Sequence, residues 1–271
     1  MKTFVKNILA PRIRTKPDFL IVGAQKSGTT SLYRYLSEHP SILPNKSWKE
    51  VHYYNNVDNY RKGIGWYLNH FPIKYKNKNK LTFEATPNYL YFPEIPERIY
   101  RDLGNIKIIA VLRNPAERAY SAWHMYHSFK DNPEESLQLL YDSRTFDQAI
   151  DDELFSGSYP SNHPYHYIDR GKYVYQIDRY YKTFPEKNVL VLNFEDLKNN
   201  LGLLLDKICD FLRIGRFQDA SEANIKGRQY NVGTYERTAL ADNKIMELQK
   251  YFAPYNQKLF ERIGEIYPWP S

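Results

Sequence analysis

Residues 18–39 constrain the fold most strongly, because a strand, a glycine-bearing loop and a helix follow one another there. The apolar run DFLIVG (18–23) ends in glycine and predicts a buried strand. The segment TTSLYRYLSEH (29–39) predicts a helix whose apolar face carries Leu32, Tyr35 and Leu36. Backbone N–H groups of such a turn and the N-terminus of a helix together form an anion site. The segment therefore predicts a bound phosphate or a similar group.

The loop differs from the nucleoside-triphosphate loop G-x-x-x-x-G-K-[ST] in the place of its lysine. Gly23 and Gly28 have the spacing of that motif, but Thr29 stands where the lysine would be, and Lys26 comes two residues before the second glycine. The apolar segment IKIIAVLRNP (106–115) also ends in Arg113, where a magnesium-binding acid would be expected. An arginine there repels a metal and attracts a second anion. Both features speak against a magnesium-dependent kinase and predict no metal site.

The rest of the chain alternates predicted strands with predicted helices. Strands are expected at 81–86, 106–112 and within 188–197, and helices at 115–129, within 136–155, at 172–185, at 201–214 and near the C-terminus. Polar loops are expected at 75–80, 156–171 and 221–236. This alternation predicts an α/β fold: a single domain with a central parallel sheet flanked by helices. We expect an N-terminal extension at 1–17 and the domain at 18–271.

Composition narrows the class of ligand. The net charge of +7 favours anionic partners, and the 25 tyrosines among 271 residues suit a sugar-binding cleft as well as a protein core. No clustered basic stripe is present, so nucleic acid is not the expected partner. Cys209, the only cysteine, lies in an apolar stretch and predicts a buried thiol. No run approaches the ~20 apolar residues of a membrane helix.

Arg113 and Ser121 form a second candidate anion site. Arg113 leaves a predicted strand, and Ser121 follows eight residues later in a predicted helix. An arginine offers a fork of donors to a phosphate and a serine adds one hydroxyl. The alternatives are a surface ion pair between Arg113 and Glu117 and a small packing residue at Ser121. A ligand with two separated phosphates would need both this pair and the loop.

The paired segments FLIVGAQKSGTTSLYRYL (19–36) and VLRNPAERAYSAW (111–123) resemble the two phosphate segments of the sulfotransferases. These enzymes use 3′-phosphoadenosine 5′-phosphosulfate (PAPS) and release PAP. Order and spacing are similar to the carbohydrate branch, the heparan sulfate sulfotransferase-like group, whose P-loop-NTPase-like fold is then expected. Looser matches extend the resemblance over residues 18–231: KEVHYYNN (49–56), GIGWYLNHFP (63–72), FEATPNYL (83–90), GKYVYQIDRYYKTFP (171–185) and NIKGRQYN (224–231).

The resemblance implies a role for each matching residue. The 5′-phosphosulfate would be bound by Gln25, Lys26, Ser27, Gly28, Thr29 and Thr30, with Lys26 near the bridging oxygen. The 3′-phosphate would be held by Arg113 and Ser121. Tyr173 would line the nucleotide pocket, and the loop of Lys226, Gly227 and Arg228 would close over the 3′-phosphate end. Glu50 matches the general base, and His52 matches a neighbouring site histidine. The implied reaction is an in-line transfer of the sulfuryl group to a carbohydrate hydroxyl, without a metal.

Two departures concern the acceptor. Heparan 3-O-sulfotransferases carry an aspartate where this chain has Asn55 and a glycan-binding lysine where it has Ala85. We therefore expect a carbohydrate or other hydroxylated acceptor, anionic in keeping with the charge, rather than heparan itself. The expected compartment is the cytoplasm for a bacterial protein, or the Golgi lumen for a trimmed eukaryotic domain. A kinase with a degenerate loop and a non-catalytic glycan- or polyanion-binding protein remain the alternatives.

Overall fold

The computed structural model describes residues 2–46, 49–74, 79–155, 164–217 and 237–270. The chain forms two compact units, residues 1–112 with 176–232 and residues 113–175 with 233–271. Most of the predicted turn at 75–80 and the whole predicted loop at 221–236 lie outside the described residues. The predicted loop at 156–171 is described only from residue 164.

A parallel five-stranded sheet is the centre of the first unit, in the order β2-β3-β1-β4-β5. The strands are β1 Phe19–Gly23, β2 Ile42–Pro44, β3 Leu81–Ala85, β4 Lys107–Leu112 and β5 Val189–Asn193. The expected α/β class and its parallel sheet are confirmed. The edge strand β2 was not predicted, because three residues are too few to show a periodic pattern.

The helices of the described residues largely follow the predicted pattern. They are α1 Lys2–Ile13, α2 Thr29–Ser37, α3 Val57–Arg61, α4 Gly63–Leu68, α5 Ile95–Leu103, α6 Pro115–His127, α7 Glu135–Gln138, α8 Phe146–Phe155, α9 Tyr173–Thr183, α10 Phe194–Asn199, α11 Leu201–Leu212 and α12 Ala239–Ile263. The helix expected within 136–155 is split, because the Asp142 carboxylate binds the Arg144 guanidinium and the Tyr167 hydroxyl between α7 and α8. The helix α10 follows β5 directly, and Asn193 caps it by accepting from the N–H of Glu195.

The N-terminal segment packs within the first unit. In α1, Asn7 accepts a hydrogen bond from the Asn69 side chain, and its backbone lies directly against Gly65 of α4. Arg14, just after α1, forms a β-bridge with Ile73. The segment therefore contributes packing against α4.

One face of the sheet buries an apolar layer against α2 and α11. Phe19, Ile21 and Phe83 from the strands contact residues of α2 such as Leu32 and residues of α11 such as Ile208. Cys209 belongs to the same layer, which confirms its predicted burial. Alternating strand residues point to the opposite face, where Leu20 and its register partner Glu84 are both fully buried.

The second unit has a separate apolar core between α6, α8 and α12. Ala119 and Tyr120 of α6 pack with Ile150 of α8 and with Leu248 and Phe252 of α12. Within the described residues, no helix combines the length and apolar character needed to cross a membrane. The same residues contain no group of three or more histidine, cysteine or acidic side chains arranged to hold a metal ion.

Candidate active site

The predicted anion loop lies at the carboxyl end of β1 and is fixed by backbone hydrogen bonds. The N–H of Ala24 donates to the carbonyl of Val111 at 2.7 Å, and the N–H of Ser27 donates to the carbonyl of Ala24 at 3.2 Å. Lys26 has a left-handed backbone with φ of 67°. Such a conformation costs free energy for a residue with a Cβ, so it persists only where the surroundings enforce it. The loop is therefore a rigid turn.

Gly28 is required for two independent reasons. Its φ is +77°, in the region that favours glycine. A Cβ at this position would lie 2.5 Å from Leu197 Cδ2 and 2.8 Å from Phe194 Cε2. The first residues of α10 and the N-terminus of α2 thus approach each other as closely as a glycine allows.

Directly before α2, the loop holds a buried hydroxyl without a partner among the described residues. No acidic residue lies in the first turn of α2, and its N-cap, Gly28, offers no side chain. Ser27 is fully buried, and its Oγ has no hydrogen-bond partner among the described residues. An unsatisfied buried polar group costs about 1–3 kcal/mol. An acceptor atom bound in the loop would relieve that cost.

Glu50 and His52 form an ion pair on a strained turn. Oε2 of Glu50 lies 3.2 Å from Nε2 of His52, and Oε1 lies 2.6 Å from Nζ of Lys49. The φ angles of Glu50 and His52 are 72° and 51°, both left-handed. The second ring nitrogen of His52 contacts Oδ1 of Asn55 at 3.2 Å. The Glu50 side chain is 37% exposed, so it is accessible to a ligand.

The charges of this cluster shift both titrations. Burial by itself would raise the pKa of Glu50, but the hydrogen bond from His52 and the charge of Lys49 outweigh it and lower that pKa to about 2. Burial by itself would lower the pKa of His52, but the hydrogen bond and charge of Glu50 raise it above 6.5. Glu50 is consequently an ionised carboxylate at neutral pH.

Backbone contacts bring the Glu50 turn to the strand next to the loop. The N–H of Glu50 donates to the carbonyl of Ala85, the last residue of β3, at 3.0 Å. Ala85 pairs with Ile21 of β1, two residues before Gly23. Neighbouring strands lie about 4.8 Å apart. The anion loop and the carboxylate therefore lie at adjacent strand ends of one sheet, where ligands of α/β proteins bind.

Three further predicted nucleotide contacts, Arg113, Ser121 and Tyr173, lie in the second unit. Arg113 Nη2 is 3.3 Å from Oε2 of Glu117, and Arg237 bonds the same carboxylate. The ion pair weighed as an alternative role for Arg113 thus exists in this structure. Ser121 is buried in α6. Tyr173 begins α9 and is 1% exposed, with its ring beside Trp269. Lys226, Gly227 and Arg228 lie outside the described residues.

The structure adds one group that the sequence reasoning missed. Glu84, read only as part of a strand, is fully buried beneath the Glu50 turn. The available signal was an acidic residue within an otherwise apolar predicted strand. Such a residue is buried with the strand, and a buried carboxylate requires hydrogen-bond partners. Those partners, Tyr67, Thr86 and Tyr89, are distributed over several segments and could not be assigned from spacing.

A family model described as "Sulfotransferase domain" matches residues 16–237, well over half of the chain. The chain belongs to the sulfotransferase family. The resemblance drawn from the two phosphate segments is thereby confirmed.

Curated relatives include enzymes named for heparan sulfate. Human bifunctional heparan sulfate N-deacetylase/N-sulfotransferase 3 is 31% identical over 211 residues, which cover 76% of this chain. The sulfotransferase chain spans only 23% of that relative's length. Mouse heparan sulfate glucosamine 3-O-sulfotransferase 5 is 27% identical over 273 residues, covering 95% of this chain and 75% of the relative.

Solved structures share the fold. A sulfotransferase from Alicyclobacillus acidocaldarius superposes with a TM-score of 0.69 at 24% identity, covering 93% of this chain and 98% of its own. A mouse sulfotransferase in complex with PAP superposes with a TM-score of 0.58 at 18% identity, covering 96% and 94%. Both likenesses support the assignment of a sulfotransferase fold.

Proposed function

We propose that this chain transfers the sulfuryl group of PAPS to a hydroxyl group of a carbohydrate acceptor. One observation carries the proposal: a glycine-bearing loop with the buried, unpartnered Ser27 hydroxyl and an ionised, accessible carboxylate lie at adjacent strand ends of one sheet. A transferase needs both elements, one to hold the donor and one to accept the proton of the acceptor. Membership of the sulfotransferase family supports sulfuryl transfer over phosphoryl transfer.

The loop residues fit the 5′-phosphosulfate end of PAPS. Gln25, Lys26 and Thr30 are partly exposed, and Ser27 has a buried hydroxyl without a partner among the described residues. PAPS supplies the activated sulfuryl group when it is bound. Lys26 and the N–H groups at the start of α2 would stabilise the negative charge that grows on the leaving phosphate oxygen. Donors fixed before the reaction are effective because they need no rearrangement.

The 3′-phosphate is proposed to bind Arg113 and Ser121, with Tyr173, Lys226, Gly227 and Arg228 as further nucleotide contacts. The Arg113 side chain is 18% exposed, and its guanidinium is oriented by Glu117. A guanidinium offers paired N–H donors to a phosphate, which a lysine would not. These assignments rest on the resemblance of the segment VLRNPAERAYSAW to the family.

Glu50 is proposed to act as the general base. Its pKa of about 2 makes it ionised but weakly basic while Lys49 and His52 hold it. Proton transfer then accompanies attack, because the acceptor oxygen becomes strongly acidic only as its bond to sulfur forms. His52 and Lys49 would keep the carboxylate oriented during this step.

The acceptor is proposed to be a glycan, and an acidic glycan is favoured over a neutral one. The names of the relatives point to a glycan, and the net charge of +7 favours an acidic one. Ala85 is fully buried in β3, so it offers no charge to a glycan where the 3-O-sulfotransferases have lysine. Heparan sulfate itself is therefore one candidate in a panel rather than the proposed acceptor.

The test combines nucleotide binding with transfer. Calorimetry with PAP measures donor binding, and radiolabelled PAPS with a panel of N-sulfated heparosan, chondroitin and neutral oligosaccharides measures transfer. Glu50→Gln should abolish transfer and leave PAP affinity within about twofold, because the base contacts the acceptor and not the nucleotide. Absence of PAP binding by the unmodified chain would refute the donor assignment. Magnesium-dependent ATP turnover would favour the kinase instead.

A further inference from the structure

A fully buried carboxylate lies beneath the turn that carries Glu50 and His52. Glu84 accepts hydrogen bonds from the hydroxyls of Tyr67 at 3.1 Å and Thr86 at 3.0 Å, and from the N–H of Val51 at 3.4 Å. Its exposure is 0%, so it reaches no acceptor and is not itself the base. Burying a carboxylate costs several kcal/mol unless it is hydrogen-bonded. A role beyond filling space is therefore expected.

Tyr89 connects this carboxylate to the next part of the turn. Its hydroxyl oxygen accepts from the N–H of Tyr53 at 3.0 Å and from the N–H of Tyr54 at 3.4 Å. The same hydroxyl bonds Glu84. Because the oxygen already accepts from two N–H groups, its proton is directed to the carboxylate. Glu84 and Tyr89 together hold the N–H groups of residues 51, 53 and 54.

These contacts account for the backbone conformation of the turn. Glu50 and His52 are left-handed residues on either side of Val51, and each such conformation costs roughly 1 kcal/mol or more without glycine. Asn59 holds the turn from the other side, donating to the carbonyls of Val51 at 3.5 Å and His52 at 3.3 Å. Glu84 and Tyr89 thus fix the turn through its N–H groups, and Asn59 fixes it through its carbonyls.

We propose that Glu84 and Tyr89 are positioning residues for sulfuryl transfer, which hold the 50–54 turn so that the Glu50 carboxylate is paired with His52 and directed to the acceptor. The inference rests on the proposed function for its catalytic consequence. Its structural part, the dependence of the Glu50–His52 pair on Tyr89, is independent of any acceptor.

The decisive variant is Tyr89→Phe, with Tyr67→Phe as its matched control. Both substitutions remove one buried hydroxyl bonded to the same carboxylate, but only Tyr89 also holds N–H groups of the turn. With radiolabelled PAPS and the acceptor of the panel (N-sulfated heparosan, chondroitin or neutral oligosaccharides) that the unmodified chain sulfates, Tyr89→Phe should lower kcat about tenfold to a hundredfold, as displaced catalytic groups do. PAP affinity should stay within about twofold, and Tyr67→Phe should stay within about threefold of the unmodified kcat.

A second measurement needs no acceptor. NMR titration of His52 should give a pKa above 6.5 in the unmodified chain and in Tyr67→Phe, and a lower pKa in Tyr89→Phe, where the pair with Glu50 is lost. Glu84→Gln is less informative here, because the charge of Glu84 itself acts on His52. If Tyr89→Phe does not fold, Asn59→Ala loosens the same turn from its partly exposed side and should shift the titration in the same direction.

The outcomes separate the two proposals. A shifted His52 titration in an enzyme that transfers nothing would support the positioning role and count against the proposed acceptor chemistry. A His52 titration and a kcat that are the same in Tyr89→Phe and Tyr67→Phe would overturn the positioning role, whatever the acceptor.

Discussion

Gly28→Ala tests whether the anion loop depends on the close approach of α2 and α10. The matched control is Gly63→Ala, because Gly63 has nearly the same backbone, with φ of +78° against +77°. An added Cβ at Gly63 meets no described atom within 4 Å. Both variants therefore place alanine in a left-handed conformation at a similar cost in stability, but only Gly28→Ala brings the new methyl group against other side chains.

The magnitude follows from these two terms. A left-handed residue with a Cβ costs about 1–2 kcal/mol in either variant. Only Gly28→Ala adds overpacking against Leu197 and Phe194, which costs about 1–3 kcal/mol. At about 2–4 °C per kcal/mol for a chain of this size, Gly28→Ala should melt about 2–12 °C below Gly63→Ala.

Thermal melting with and without PAP provides the assay. At a concentration of about 100 times Kd, PAP should stabilise the unmodified chain and Gly63→Ala by about 2.7 kcal/mol. Gly28→Ala should lose most of that stabilisation, because its loop no longer closes around the anion. Equal melting of the two variants would refute the packing argument. A full PAP shift in Gly28→Ala would refute the role of the loop.

Three further predictions concern single side chains. Lys26→Ala should lower kcat about 10²- to 10³-fold, the usual effect of removing one group that stabilises developing charge, as measured with radiolabelled PAPS. Arg113→Ala should weaken PAP binding in calorimetry at least about tenfold, a loss of 1.4 kcal/mol, whereas Arg237→Ala, which removes a charge from the same Glu117, should change it little. Glu50→Gln should lower the melting temperature most between pH 4.5 and 6.5. Above 4.5 the depressed pKa of Glu50 contributes fully, and below 6.5 the raised pKa of His52 does. A melting difference that is independent of pH would contradict the ion pair.

The sequence predicted the fold well where a pattern is local. Strand β4 is an uninterrupted apolar run, and α6 combines Pro115 in its first turn with an apolar stripe, so both were predicted with nearly their observed bounds. The splitting of the helix at 136–155 was missed. Thr145 and Gln148 cap the start of α8 locally, whereas Asp142, just before them, binds Tyr167, a residue distant in sequence. Local patterns carry no information about such partners.

In the candidate site too, local sequence patterns were predicted and contacts between distant residues were not. Gly28 and Lys26 were singled out from spacing, and the structure explains both through the left-handed turn. The ion pair of Glu50 with His52 was not predicted from the residues alone, because left-handed residues on either side of Val51 have no sequence signature without glycine. Glu84 was missed for a related reason, since its partners come from α4, the turn after β3 and the 50–54 turn.

The central strand of the sheet is also its earliest in the chain, and this order matters during synthesis. Phe19 of β1 pairs with Phe83 on one side and with Lys107 on the other. While the chain leaves the ribosome, the fully apolar β1 has neither neighbour until β3 and then β4 have been made. Pairings between distant segments form slowly, and unpaired apolar strands associate with other chains in the meantime. The strand that ends in the anion loop is therefore the part of the nascent chain that most needs protection before the sheet closes.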